Sequence, residues 1–497
     1  MPDIKQREEK MWEKIKNIPR KEFIFRLASW KSFMFYKNPE VTLYPPTGRV
    51  GPLLSAQDYE KQRIWFEKYG IDYDFGKDFF HHYQQLFTTI PCMRLKILPP
   101  YENSDYIDSW GFGIKNCYLS IGPFSDSQNV LYSFEVKEKC SDVLNSVMVR
   151  HNCANIYQST GIINSYKIFY SRYVSDSSNL RFCTNMIGCQ ECIDCDGLQN
   201  QSYCISNKQY SKEEFATKKE ELLEEKNMFH EKFLKLNPQG ANLQSNNVNG
   251  SFNVKCDNIG KWYLNFNVHG GNNLILVGSA NGNKEIYNTF VCGSPHMDHG
   301  YHVLDSWGRD YIYNGEQIAM SSHIYYSFYL ENCSYCLWCI WLKNKQFYIL
   351  NKQYAKEERF TLADKIFAQM GKDGSLWKYF PGYINPFYFN DTAAYLIDDS
   401  FTKEEVAKEW YLRRDEEIKV DIPPEADIVE TKNLSSYQWF ENDTWTINPE
   451  ILKKVIKDEK GNYYRIVKME YDFLMKYGLP LPELHRLERI KLWFKFK

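Results

Sequence analysis

The chain has no apolar run of the roughly 18 residues needed to cross a bilayer. It opens on MPDIKQREEK, where an export signal would place an apolar segment. A membrane-spanning or secreted protein is therefore not expected. Charge of one sign is also missing: Lys+Arg 61 against Asp+Glu 63 leaves a net charge of -2, so no chain-wide field attracts nucleic acid or anionic lipid. Cysteine is absent from the first 91 and the last 158 residues. Fourteen cysteines in 497 residues fall well below the density of a disulfide scaffold and read as reduced thiols of a cytoplasmic protein. No HExxH, GxSxG or GK[ST] segment occurs, and Gly111-x-Gly113 is followed by Asn116 rather than a third glycine. The usual signatures of zinc proteases, serine hydrolases and phosphate loops are thus lacking.

What the chain does have is aromatic residues, 16% of the total, and repetition. CQECIDCDGLQNQSYCISNKQYSKEEF (189–215) aligns with CSYCLWCIWLKNKQFYILNKQYAKEERF (333–360) at an offset of 144, with Arg359 inserted near the end. The same offset pairs Asn129 with Asn273, Asn155 with His299 and Ser178 with Ser322. Such a match marks an internal duplication. A finer beat runs inside it: Asn116, Asn129, Asp142 and Asn155 stand thirteen apart, each followed by a short apolar segment. Asn and Asp tolerate the left-handed turn conformation, and the segments after them have strand character. Units of 12–13 residues cannot bury a face alone, but stacked coils share one core. Residues 111–210 carry only sixteen charged side chains, as such a core requires.

The predicted fold is mainly β with peripheral helices, an α+β chain whose duplicated β-solenoid-like (β-helix-like) core is flanked by degenerate zinc-ribbon-like modules. Five stretches follow: an N-terminal helical and ribbon-like region (1–101), a first solenoid repeat with its capping helix (102–249), a second (250–370), a connector (371–430) and a C-terminal ribbon-like module (431–497). Phe75, Phe79, Phe80, Tyr83, Leu86 and Phe87 predict an amphipathic helix over 74–87. Ser211 with Glu214 predicts a capping box opening the helix of 211–236, whereas its counterpart begins at Ala355 without a cap.

The NKQY[ST]KEE-type segments at 207–214 and 351–358, the stretch WKYFPGYINPFYFNDTAAYLIDDSFTKEEVAKEWYLRRDEE (377–417) and GNYYRIVKMEYDFLMKYGLPLPELHRLERIKL (461–492) together resemble an uncharacterised family of Cys-rich, zinc-ribbon-containing proteins of metagenomic bacteria. Residues 20–90 look like a diverged copy of that family's N-terminal ribbon. The resemblance implies architecture rather than activity. It also marks a loss, because Lys457, Lys460, His485 and Glu488 stand where the closing ribbon has its thiolates. Two ammonium groups do not ligate zinc, so this module is expected to hold together by apolar packing of Tyr464, Ile466, Tyr471, Phe473, Leu474 and Leu479.

Cys189, Cys192, Cys195, Cys333, Cys336 and Cys339 are the zinc candidates, as three thiolates fill three of four tetrahedral positions if the loop curls. In a regular strand, however, residues three apart point to opposite faces, which favours thiols as small buried filler. His296, His299 and His302, the pair His81-His82 and the isolated His230-Glu231 read as turn or packing histidines. For a polysaccharide-cleaving solenoid, Asp298, Asp305 and Asp310, or Asp194 and Asp196, would supply carboxylates. A nucleic-acid surface is sketched by Arg465, Lys468, Arg486, Arg489, Lys491, Lys495 and Lys497 with Tyr463, Tyr464, Trp493 and Phe494. The expected function is a non-enzymatic scaffold or macromolecule-binding protein with an extended aromatic solenoid surface, its partner a protein or RNA. The alternatives are an RNA- or ribonucleoprotein-associated protein using the basic terminal modules, and a carbohydrate-active enzyme. No membrane, no small-molecule cofactor and, apart from zinc at those runs, no cofactor is expected.

Overall fold

The computed structural model describes Phe25, most of 51–93, residues 101–108, 113–121 and 125–224, and short strands between 241 and 316. It also describes 318–494 apart from 319, 377–379, 416–421 and 442–443. The chain folds as a β-solenoid with peripheral helices. It divides into two compact units, each discontinuous: 1–95 with 239–414, and 96–238 with 415–497. The five stretches read from sequence are thus regrouped, with the N-terminal region sharing a unit with the second solenoid and the closing module with the first. The helices used below are α1 (Phe79–Thr89), α2 (Lys212–Glu224), α3 (Lys356–Asp373), α4 (Lys468–Tyr477) and α5 (Arg486–Phe494).

Most coils of the first stack contribute two four-residue strands, each pairing in parallel with the equivalent strand of the next coil. Two apolar rows face each other across the interior. One runs Val130, Val143, Ile156, Ile168, Leu180, Cys192, Cys204. The other runs Val136, Val149, Ile162, Val174, Met186. All are buried, and each aliphatic side chain so removed from water stabilises the stack by roughly 1.5–3 kcal/mol.

The backbone explains how so short a coil closes. A residue with positive φ recurs every third position, as at Lys167, Tyr170, Tyr173, Asp176 and Asn179. Each such residue turns the chain, so residues three apart all point inward, one per side of a four-sided coil. The rule that residues three apart alternate in direction holds for a regular strand and fails here for that reason. Left-handed conformations cost non-glycine residues about 1–2 kcal/mol each, and neighbouring coils compensate by stacking like on like. Asn103 Nδ2 donates to Asn116 Oδ1 (2.8 Å), Asn116 to Asn129 (3.0 Å) and Asn129 to Asp142 (2.8 Å).

Among the described residues the thirteen-residue beat is a property of the first coils. There the corner carries two left-handed residues in succession, Glu138-Lys139 and His151-Asn152. From Asn164 onward one suffices, and the ladder bond Asn164 to Asp176 spans twelve residues at 2.7 Å. The offset of 144 is a whole multiple of that period, which keeps the two copies in phase.

The NKQY segment, the strongest repeated signal, ends each stack. Asn207 Nδ2 donates to Asp196 O and its Oδ1 accepts from Asp196 N, both at 2.8 Å. Asn351 makes the same two bonds to Ile340, at 2.9 and 2.8 Å. The side-chain amide thus stands in for the backbone of a coil that is not built. The chain then reverses into an antiparallel ladder, Cys204↔Gln209 and Ile205↔Lys208 in one copy, Tyr348↔Gln353 and Ile349↔Lys352 in the other. Turning back along the last strand covers the unpaired edge that would otherwise template association. The predicted capping box is present, with Glu214 N donating to Ser211 Oγ (3.1 Å) and Ser211 N to Glu214 Oε2 (3.0 Å). Ala355 makes no side-chain cap.

α1 starts at Phe79, later than the apolar stripe suggests, because the Asp78 carboxylate accepts from Phe80 N (2.9 Å) and His81 N (3.2 Å) and fixes the N-terminus there. Phe79, Phe80, Tyr83 and Leu86 are buried, whereas Phe75 lies before the helix and is exposed. In the closing module Val455–Lys457 pairs with Ile428–Glu430 in parallel and with Tyr463–Tyr464 in antiparallel fashion.

Candidate functional site

The zinc candidates sit on successive sides of the coil, with their sulfurs in its interior. They belong to two kinds of position. Cys189, Cys195, Cys333 and Cys339 occupy corners that serine fills elsewhere, as at Ser159, Ser165, Ser171 and Ser177. A corner serine donates to the carbonyl two residues back, Ser171 Oγ to Phe169 O at 2.8 Å. It also accepts from the backbone N–H twelve residues on, which is how Cys183 N reaches Ser171 Oγ (3.1 Å) and Cys189 N reaches Ser177 Oγ (2.9 Å). Cys333 N and Cys339 N are bound likewise by Ser321 (2.9 Å) and Ser327 (3.0 Å). The thiols reproduce the donor half: Cys189 Sγ to Ile187 O and Cys333 Sγ to Glu331 O, both 3.3 Å. Corner backbone groups face inward, away from the strand ladders, so a small side chain that both donates and accepts satisfies them. Cys192 and Cys336 are different, since they continue the apolar rows after Leu180 and Ile324.

Burial pushes the Cys189 and Cys336 thiols up, Cys336 well above its ordinary value, while Cys192 and Cys333 are raised first by donating to the neighbouring thiols Cys195 and Cys336 and then by burial. Cys195 is the exception and is held low, because the Cys183 and Cys192 thiols donate to it. Among the described residues no group of three or more His, Cys, Asp or Glu side chains is arranged to hold a metal ion. The signal that sequence reasoning missed is the alternation of Ser or Cys with an aliphatic residue every three positions from Ser159 to Leu180.

Asp194 is a corner residue with positive φ, and Asp196 stands at a strand position, in a parallel bridge with Thr184. Asp194 accepts from Ser206 Oγ (2.8 Å) and Asp196 from Asn185 Nδ2 (2.8 Å). Asp298, Asp305, Asp310, His230, Glu231, His296, His299 and His302 lie outside the described residues. His82 is buried and stacks on Tyr73 with centroids 4.7 Å apart. Its Nε2 accepts from Asp74 N at 2.9 Å, leaving Nδ1 to face Asp78 O at 3.2 Å. Burial lowers its pKa.

Aromatic residues are concentrated on the coil faces, and much of that surface is covered from within the chain. In one unit α1 sets Phe79 against Trp338 (3.8 Å) and Tyr326 (4.9 Å), while Tyr83 stacks on Phe380 (5.0 Å). Arg63 reaches Glu331 at 2.9 Å, and Glu67 accepts from Lys345 (2.5 Å) and Tyr348 (2.6 Å). In the other unit α4 sets Phe473 against Tyr157 (5.7 Å) and Tyr477 against Phe169 (5.6 Å), and the Tyr477 hydroxyl donates to Asn155. The aromatic surface predicted as an open recognition face is therefore partly an internal docking face. Large apolar side chains left exposed include Trp65 (61%), Trp410 (69%) and Trp439 (48%).

Among the described residues the nucleic-acid candidates face different surroundings. Arg489 is buried (3% exposed) and pairs at 2.8 Å with Glu470, itself 0% exposed. Burial works against the Arg489 charge, but Glu470 and the Tyr157 and Tyr464 hydroxyls outweigh it and keep its pKa raised. Arg486 lies over the Tyr132 ring at 5.8 Å. Lys491 pairs with Glu488 at 2.8 Å and Lys468 with Asp472. Arg465 is exposed and Tyr463 and Tyr464 are partly so. Lys495, Lys497 and the side chains of Trp493 and Phe494 lie outside the described residues.

Three of the four positions where the closing ribbon would carry thiolates do converge. Lys460 pairs with Glu488, and the Asp458 carboxylate beside them accepts from Lys460 N (3.0 Å), Asn462 N (2.8 Å), Asn462 Nδ2 (3.0 Å) and His485 N (3.2 Å). Lys457 instead lies over the Tyr463 ring at 5.6 Å. A polar clasp thus joins the 458–462 turn to the 485–488 segment, in addition to the apolar packing of Ile466, Phe473, Leu474 and Leu479.

No helix among the described residues is long and apolar enough to cross a membrane. No family model matches the chain, and neither a curated protein nor a solved structure matches it.

Proposed function

We propose that the protein is a non-enzymatic cytoplasmic scaffold whose coil faces bind another protein by apolar and aromatic contact. The observation that carries this reading is that coil faces of both units already receive an aromatic-bearing helix of the same chain, α1 on Tyr326 and Trp338, α4 on Tyr157 and Phe169. A stack of identical backbone turns offers any amphipathic helix the same row of holes. The reactive side chains in the coils, corner thiols and the Asp194 and Asp196 carboxylates, are committed to hydrogen bonds within the stack. Descent from the ribbon-containing family, with its thiolates replaced by the Asp458 clasp, belongs to the same proposal.

The test is affinity capture from the native cell at 50 and 200 mM salt, read by mass spectrometry and RNA sequencing, with Tyr166→Ser and Met320→Ser variants, both exposed on coil faces, alongside. A protein partner retained at the higher salt and lost from a variant supports the proposal. Recovery of RNA alone, falling by about 10³-fold or more between the two salts, would replace it with the RNA-associated reading.

A further inference from the structure

A groove of about 350 Å³ lies within the unit formed by the first solenoid and the closing module. Its floor is built from three consecutive coils. Lys167, Asn179 and Glu191 form one row, all in the left-handed conformation, and Phe169, Arg181 and Ile193 form the next. Phe215 and Lys219 of α2 stand on one side, and Thr444 with Lys476 and Tyr477 of α4 on the other. Strands of successive coils are about 4.8 Å apart, so the floor is roughly 10 Å long. That is room for a single small molecule.

Four cations, Lys167, Arg181, Lys219 and Lys476, line this groove against one carboxylate, Glu191. The concentration is unexpected in a chain of net charge -2. Two of these cations have an acidic neighbour at the far end of ion-pair range. Glu191 is 3.8 Å from Lys219, and Asp142 is 3.8 Å from Lys476. Arg181 lies over the Phe169 ring at 5.3 Å and Lys167 over the Tyr166 ring at 5.4 Å, contacts that orient both cations. Phe169 and Ile193 in the floor and Phe215 on the wall are buried, so the cationic rim is backed by apolar side chains.

The second copy supplies the control. At the equivalent positions, 144 residues on, stand His323, Tyr325, Tyr335 and Leu337 in place of Asn179, Arg181, Glu191 and Ile193. There Tyr335 meets Phe360 at 5.5 Å and Tyr325 meets Phe367 at 5.5 Å, so α3 fills the space with rings. The cationic cleft is therefore not a by-product of the coil geometry; it belongs to one copy.

We infer that this groove binds a small phosphate-bearing molecule with an apolar or aromatic body, of the size of a nucleoside monophosphate. Lysine ammonium groups serve phosphate as point charges, arginine as a planar fork, and the volume falls in the range of small-molecule sites, roughly 300–1,000 Å³. The roughly 10 Å floor favours a free molecule over a polynucleotide.

The experiment uses the full-length chain. AMP, inorganic pyrophosphate, adenosine and a uridine decamer are titrated calorimetrically, and lysine protection from acetylation is mapped by mass spectrometry. AMP is expected to bind saturably, pyrophosphate more weakly and adenosine not at all, with Lys167, Lys219 and Lys476 protected. The triple variant Lys167→Gln, Lys219→Gln, Lys476→Gln should weaken AMP by about tenfold or more, whereas Lys468→Gln, on the exposed face of the same helix, should leave it unchanged. Equal melting temperatures of the variants establish that they fold. Absence of saturable binding up to about 10 mM, binding untouched by the triple variant, or binding of the decamer alone would each overturn the inference.

Discussion

The two copies of the solenoid use the same backbone and dress it differently. Around the first, residues 179, 181 and 191 are Asn, Arg and Glu and border an open cleft; around the second, residues 323, 325 and 335 are His, Tyr and Tyr, with His323 stacked on Tyr335 at 4.3 Å and Tyr335 on Phe347 at 5.3 Å. The difference teaches that the outward row of a coil is constrained only to stack well on itself from turn to turn. Amide on amide, ring on ring and charge beside amide all satisfy it, so a duplicated stack can keep its interior and change its surface.

The ends differ as well. Asn351 is fully buried, and its amide also points at Phe66 O (3.4 Å), while Ile71 N donates to Leu350 O (3.1 Å). Gly70 permits that approach, since a Cβ there would lie 2.6 Å from Asn351 O. Asn207 makes the same terminating bonds in an exposed setting.

The largest effect is expected where a helix is held by a buried ion pair. Arg489→Met should destabilise its unit by about 3–5 kcal/mol, because Glu470 is left charged and unpaired, whereas Glu470→Leu with Arg489→Met together should restore most of the loss. Arg63→Met in the other unit should cost far less, as Glu331 keeps Lys343 at 2.7 Å. Urea titrations resolving two transitions would measure both, and equal losses would break the contrast.

Next come the terminators. Asn351→Ala strands a buried N–H and C=O of Ile340 and should cost about 2–3 kcal/mol; Asn207→Ala, with water at hand, should cost about 1 kcal/mol. Amide hydrogen exchange at Ile340 and Asp196 would report each locally.

Acid should weaken the closing module by a similar amount. Burial, then Arg486 and Arg489, lower His485 from 6.5 to about 4. The unfolded chain therefore takes up the proton first. Stability is whole above pH 6.5 and drains as pH falls toward about 4, by roughly 2 kcal/mol once partial exposure is discounted. His82 shifts in the same direction through burial. His485→Gln should flatten the slope of melting temperature between pH 6.5 and 4.5; an unchanged slope would assign it to other groups.

The smallest effect lies at the caps. Ser211→Ala should cost about 1 kcal/mol and Ala355→Ser should gain about 0.5–1 kcal/mol, since Glu358 already occupies the position a capping box needs. Thermal melts of the two variants should move in opposite directions.

The duplication, the β-solenoid and the left-handed Asn positions were legible because each follows from local preference repeated at a fixed interval. Asn116, Asn129, Asp142 and Asn155 all have positive φ, between 51° and 61°. The three-residue inward rule was hidden because it is carried by φ rather than by residue type: Lys167, Tyr170 and Phe182 turn the chain as Asn does, and nothing in their composition announces it. The cationic groove was invisible for another reason. Lys167, Lys219 and Lys476 are far apart in sequence, and only the docking of α2 and α4 on one coil face brings them together. Arg489 misled in the opposite sense, since its place in a basic run said nothing of Glu470 nineteen residues earlier.

The paired left-handed corner at Glu138-Lys139 and His151-Asn152 carries a consequence for mutation. An inserted residue there bulges outward and leaves every interior row in register, so such corners should absorb single-residue insertions, while the same insertion within the strand Arg172–Ser175 would exchange inward and outward side chains through the rest of the stack. Gain or loss of a full turn is equally silent. Length is therefore the property this architecture can vary most freely, and corners are where it can do so one amino acid at a time.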